Sequence, residues 1–439
     1  MRIVHLAAGA GAMYCGACAR DVALARALIA RGHEVAIVPL YTPLRLDGDE
    51  PLPVTEVHLG AINAYLQQLH PGFARLPRAV RRALDHPALL RWLSRFAVST
   101  RPAQLGPMTV SVLAGPEGSQ RAELDRLLDF LAQEPPDVLS ITNSMLSGVA
   151  PVAKARLGMP ILCEVKGEDG FIDALPGPHR AQALDHLRRN ARAIDRFVAP
   201  SESYAARMAE YLDVPRARIA VVRSGIDARA LRRAGPRVTR PFTVGYLSVI
   251  TPRKGLHVLV EAMARLVAEG REVRLRAAGR VLSGRYAREL RRSIRQAGLS
   301  ACATLEGELP APEKPAFLHS LSILVQPSIL PEVLGTVALE AQAAGLPVVA
   351  PEEGCFPEML ALTEGGLLCA PRDPEALADA LRALMDDPAR ADELGDRGAA
   401  AVAEHYAPDR IAGEMLRVLT ELTTAPNCAR GNGDGEEAL

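Results

Sequence analysis

Short apolar runs alternate along this chain with longer stretches whose apolar residues recur at helical spacing. The first run covers 2–8 and leads into Gly9-Ala10-Gly11-Ala12; a helical pattern follows over 19–31, ending at Gly32, and then a second run at 34–40. Strand, tight loop, helix, strand is the order of a parallel βαβ unit. Further runs at 109–114, 137–142, 160–165, 196–200 and 219–223 keep the rhythm, until Gly235-Pro236 and Pro241 interrupt it as a linker would. The pattern then restarts. A run at 243–247, a helical stretch at 256–269 and runs at 273–278, 303–306, 322–326, 347–350 and 367–369 read as a second unit of the same kind.

The expected fold is therefore α/β, with two Rossmann-like domains, 1–235 and 236–407, facing a cleft that holds the ligand at the carboxyl ends of their strands. A helix at 408–424 follows the second core and is placed to cross back to the first domain. The end, 425–439, is rich in Gly, Asn and Glu and reads as a disordered tail. Residues 61–101 break the rhythm: they read as helices interrupted by Pro71, Pro77 and Pro87. From Pro71 to Arg101 there are seven arginines against one aspartate, which fits either a solvated face or a lid over an anionic or lipid-linked acceptor touching a membrane through 71–101.

Composition narrows the partners. At 439 residues and 49% hydrophobic the chain can fill two cores, and with 51 basic against 51 acidic residues it has no global field to draw in nucleic acid. The expected partners are small molecules. No basic leader with an apolar core opens the sequence and no apolar stretch reaches the length of a membrane span, so the expected location is cytoplasmic, or peripheral to the inner face of the membrane. Seven cysteines make a poor disulfide framework. Cys15 and Cys18 have redox-motif spacing, but no second cysteine pair accompanies them to complete a zinc site; metal or redox chemistry, lining of the cleft and plain packing all stay open for them.

The strongest chemical signal lies in the block from Pro327 to Ala350. A loop ends at Glu332, Gly335 lets backbone approach a ligand, and the helix that follows turns its first amides toward the same loop, an arrangement suited to an anion. Glu340 falls about one helical turn further on, within reach of a diol attached to bound phosphates. In the first half the glycine loop at Gly9, Gly11 and Ala12 offers amides to a phosphate or an acceptor, although a tight strand-to-helix turn needs the same residues.

This block resembles the Glu-x7-Glu motif of the large retaining GT-B glycosyltransferase family that includes sucrose-phosphate synthases and bacterial mannosyl- and glucosyltransferases. Glu332 and Glu340 stand at its two acidic positions. The resemblance implies that Glu332 contacts the donor sugar, Glu340 the ribose, and the amides near Gly335, Thr336 and Val337 the diphosphate. It extends in order through Ser248–Gly255, where Lys254 stands at the family's phosphate ligand, and through the loops at 351–358 and 365–377. Val222 to Asp227 stands where the family ends its first domain. The sequence also departs from the family. Tyr246 follows Gly245 where an Arg is usual, which leaves Arg253 and Arg280 as candidates for the second charge; Ser224 replaces an Asn and Leu334 an aromatic residue. After the run at 160–165, Lys166 occupies the place of a His beside the reacting centre, which makes it a candidate partner of the diphosphate or sugar. Glu168 and Asp169 are acceptor or acid/base candidates.

The implied activity is a retaining hexosyltransferase moving a sugar from a nucleotide diphosphate to an acceptor hydroxyl on a sugar, lipid-linked or small molecule. No metal and no cofactor is implied, because cationic side chains and a helix N-terminus serve the leaving group. Rival readings on the same fold are a nucleotide-sugar 2-epimerase, a phosphorylase and a non-catalytic sugar-nucleotide-binding protein.

Overall fold

The structure is a computed structural model and describes residues 1–8, 16–40 and 102–424. The glycine loop at Gly9, Gly11 and Ala12, Cys15, the segment 61–101 and the tail 425–439 lie outside the described residues, as does the Cys18 side chain.

Two six-stranded sheets carry the fold. The first contains β1 (Arg2–Ala7), β2 (Glu34–Pro39), β3 (Val138–Ile141), β4 (Ile161–Glu164), β5 (Arg196–Ala199) and β6 (Ile219–Val221), in the order β2-β1-β3-β4-β5-β6. The second contains β7 (Phe242–Leu247), β8 (Val273–Ala278), β9 (Ala303–Gly307), β10 (Ile323–Val325), β11 (Val348–Pro351) and β12 (Gly366–Cys369), in the order β12-β11-β10-β7-β8-β9. The strands of the second sheet pair in parallel, Val244 with Leu275 on one side of β7 and with Ile323 on the other. Two expected doubly wound halves are thus present.

Parallel strands with helices on both faces must be apolar on both faces. In the second sheet Val244, Leu275, Ile323 and Val349 face one buried cluster, while Leu324, Val348 and Ala350 face the other. This is why these strands appear in the sequence as continuous runs instead of alternations. The helix Leu256–Ala268 closes the first cluster with Leu259, Met263 and Leu266, and the helix Thr336–Ala343 contributes Ala338, Leu339 and Ala341 to the second.

One expected strand is corrected. Residues 109–114 lie in the helix Pro102–Leu113 and the turn that follows it. The local pattern there is β-like, but packing decides: Gly106 sits so close to the helix Gly177–Ala191 that a Cβ on it would lie 2.5 Å from the His179 ring. Thr109 turns its hydroxyl back to the Leu105 carbonyl at 2.9 Å, satisfying itself inside a helix.

Contacts divide the chain into two units. The first comprises residues to Val198, 212–220 and the chain from Ala412 on, so most of the C-terminal helix Pro408–Thr424 belongs to it; the second comprises 199–211 and 221–411. Among the described residues no helix is long and apolar enough to cross a membrane.

Candidate active site

In the second sheet the strand order reverses at β7, which has β8 on one side and β10 on the other. Loops leaving such a point diverge and open a crevice. The loop after β7 ends in the single turn Pro252–Lys254 and then Gly255, whose φ is +70°. A Cβ at Gly255 would lie 1.7 Å from the Pro327 carbonyl oxygen, so glycine is needed both for the left-handed backbone and for the approach of the two loops. The Ile329 amide donates to the Arg253 carbonyl at 2.9 Å and completes the join.

That join sets Lys254 against Glu332. The Lys254 ammonium donates to Glu332 Oε1, and the Ser328 hydroxyl donates to the same oxygen at 2.5 Å. The backbone of Glu332 is held from the other side: its carbonyl accepts from the Cys355 amide at 2.8 Å, and a Cβ at Gly354 would lie 2.4 Å from that carbonyl oxygen. Arg372 ties in the loop after β12, donating to the Ile329 carbonyl at 2.9 Å and to Glu353 at 2.8 and 3.0 Å. Loops after β7, β10, β11 and β12 are thus joined around Glu332 at one edge of the sheet.

Gly335, with φ of +57°, caps the helix Thr336–Ala343, and a Cβ there would meet Met359 Cε at 2.4 Å. Gly335 has no side chain of its own to cap this helix, whose positive dipole end favours an anion. Val337 packs against the core below, and Glu340 stands one turn along. Glu340 Oε1 accepts from Lys314 Nζ at 2.7 Å, whereas its Oε2 is buried and has no hydrogen-bond partner.

Among the other expected donor residues, Arg253 is exposed and has no side-chain partner among the described residues. Arg280 is exposed on the loop after β8 and its carbonyl accepts from the Ile250 amide at 2.9 Å. Tyr246, at the place of the family's usual Arg, is fully buried and its hydroxyl donates to the Val249 carbonyl at 3.0 Å, so it braces the loop after β7 from beneath.

In the first unit Lys166 lies in a buried network. Its ammonium donates to Asp21 at 2.5 Å and forms an ion pair with Glu164 at 3.0 Å; Asp21 also accepts from the Thr142 hydroxyl at 2.7 Å and faces His5 Nε2 at 3.5 Å. Burial alone would raise Asp21, but the Lys166 charge and the nearby His5 ring overcome it and hold the carboxyl far below the usual carboxylate range. For Lys166, burial works against the charge, and the neighbouring Asp21 and Glu164 carboxylates outweigh it and push the ammonium above the ordinary lysine value. His5, Asp21 and Glu164 present ligand atoms within 4.8 Å of one another, the geometry of a cation site, and the Lys166 ammonium already bridges the two carboxylates. Glu168 accepts from the Ser144 amide at 2.9 Å, the Ser144 hydroxyl at 2.6 Å and the Lys166 amide at 2.7 Å. Asp169 is buried at the start of the short helix Asp169–Ile172. Asp21, His5 and Lys314 carry no motif signal and emerge only from the fold.

The sequence profile of the family described as glycosyl transferases group 1 matches residues 227–401, and that of the glycosyl transferase 4-like domain matches residues 17–225. A D-inositol 3-phosphate glycosyltransferase of Thermobispora bispora is 30% identical over 347 residues, covering 72% of this chain and 80% of the relative. A protein of the same name from Streptomyces avermitilis is 30% identical over 243 residues; there the chain spans about half the length of the relative, 52%. Anabaena HepE, solved in complex with UDP and glucose, shares the fold with a TM-score of 0.66 and 17% identity, over 96% of this chain and 100% of that one.

Proposed function

Since the chain belongs to the group 1 glycosyl transferases and is thus a glycosyltransferase of GT-B fold, we propose that it moves a hexose, with retention of anomeric configuration, from a nucleotide diphosphate to an acceptor hydroxyl. The observation that carries this reading is the convergence of the Lys254–Glu332 pair and the N-terminus of the helix Thr336–Ala343 at the strand-order reversal of the second sheet.

In this reading the donor diphosphate lies against the amides of Gly335, Thr336 and Val337 and draws the Lys254 ammonium from Glu332. Glu332, still held by Ser328 and by its backbone, then accepts from hydroxyls of the donor sugar, and Glu340 accepts from the ribose. As the sugar–oxygen bond breaks, negative charge grows on the departing phosphate, where Lys254 and the helix dipole lower its energy. The departing oxygen takes the acceptor proton on the same face, so retention needs no enzymic nucleophile. Arg253, exposed beside Lys254, is the cation best placed to add to the diphosphate site. Lys166, Glu168 and Asp169 serve this reading as a brace beneath the loop after β4, since the first two are engaged with named partners.

The relatives named for D-inositol 3-phosphate and the UDP and glucose held by HepE support a nucleoside diphosphate hexose and a hydroxylated acceptor. A thermal-shift panel of UDP-, GDP- and ADP-hexoses tests the donor: one base should raise Tm well above the others, by the linkage of binding to stability. No shift with any of them would contradict the reading.

A further inference from the structure

Lys314 is the first residue of the helix Lys314–His319, which follows β9 and the turn Ala311–Glu313. Because β8 and β9 run parallel to β7, the chain leaving β9 emerges at the same edge of the sheet as the loops bearing Lys254 and Glu332. That brings Lys314 within 2.7 Å of Glu340, 26 residues away in sequence. Surface lysines usually keep their ammonium in water. This one is spent on a carboxylate whose side chain is only 14% exposed.

The pairing is one-sided. Lys314 takes Oε1, while Oε2 is buried with no partner. A buried acceptor left without a donor is costly, and such atoms are rare in folded proteins unless water or a ligand supplies the donor. A carboxylate with one oxygen tied to a cation and the other left for a pair of hydroxyls is a diol receptor in waiting. Resting on the assignment of Glu340 to the donor ribose, we propose that Lys314 is a positioning residue: it holds Glu340 by Oε1 so that Oε2 meets the ribose hydroxyls, and through Glu340 it sets the preference for ribose over 2′-deoxyribose.

The test compares UDP with 2′-deoxy-UDP, and GDP and ADP with their 2′-deoxy forms, by titration calorimetry on the full chain. The variants are Lys314→Ala, Lys314→Met, Lys314→Arg and Glu340→Gln. Wild type should favour the ribonucleotide by about tenfold, the worth of one good hydrogen bond to a charged group. Lys314→Ala and Lys314→Met should each lose most of that preference, and Lys314→Arg should restore it; methionine keeps the aliphatic stem, which guards against loss of fold in the alanine variant. With a donor and acceptor in hand, the donor KM should rise in Lys314→Met with kcat within about twofold of wild type, the pattern of lost ground-state binding. If Lys314→Ala and Lys314→Met weaken ribo- and deoxyribonucleotides equally, Lys314 touches base or phosphate itself and the proposal is overturned. If Glu340→Gln abolishes the preference while the Lys314 variants keep it, the ribose assignment stands and only the role of Lys314 fails. If Glu340→Gln also leaves the preference intact, the ribose assignment itself is wrong.

Discussion

Lys254 meets two opposing demands. In the structure its charge is matched by Glu332, yet the chemistry asks it to face a diphosphate whose charge grows during transfer. A cation that shifts from a carboxylate to the leaving group contributes most in the transition state, so Lys254→Ala should lower kcat by roughly 100-fold while the donor KM changes much less. Steady-state kinetics decides: a raised donor KM with kcat preserved would make Lys254 a ground-state ligand, and unchanged constants would remove it from the site. The Glu332–Glu340 spacing was legible in the sequence because both residues belong to one loop and the helix that continues it. Lys314 was not, because its place beside Glu340 depends on where a parallel strand ends. Lys166 was visible as a polar residue after a strand, but its partner Asp21 lies 145 positions away and no local pattern joins them.

At the scale of elements, the site depends on how closely the loops after β7 and β10 approach. Gly255 and Gly345 both have left-handed backbone, φ of +70° and +74°. A Cβ at Gly345 meets nothing within 4 Å, so Gly345→Ala should cost about 1 kcal/mol, the backbone strain alone. At Gly255 the same Cβ would strike the Pro327 carbonyl, so Gly255→Ala should cost at least ~2 kcal/mol more or push the loops apart. Urea denaturation gives the first quantity, and nucleotide affinity reports the second. Equal costs with unchanged affinity would show that the contact does not set the loop. The strands were legible because burial on both faces writes them as continuous apolar runs. The expected strand at 109–114 failed because Thr109, Val110 and Val112 suit a strand locally, while the contact of Gly106 with His179 places them in a helix.

At the scale of the whole molecule, two Rossmann-like units, each with its own parallel sheet, follow from a pattern that starts twice, and the equal numbers of acidic and basic residues leave recognition to local sites. Proton NMR of the anomeric region separates transfer with retention from inversion and from epimerisation. UDP-glucose, or the hexose of the base selected by thermal shift, is incubated with the full chain, with and without hydroxylated acceptors such as D-inositol 3-phosphate. The expected result is loss of the α-anomeric signal of the donor only when acceptor is present, matched by free nucleoside diphosphate and a new α-linked product. A β-linked product, or conversion of the donor to an epimer without acceptor, would contradict it.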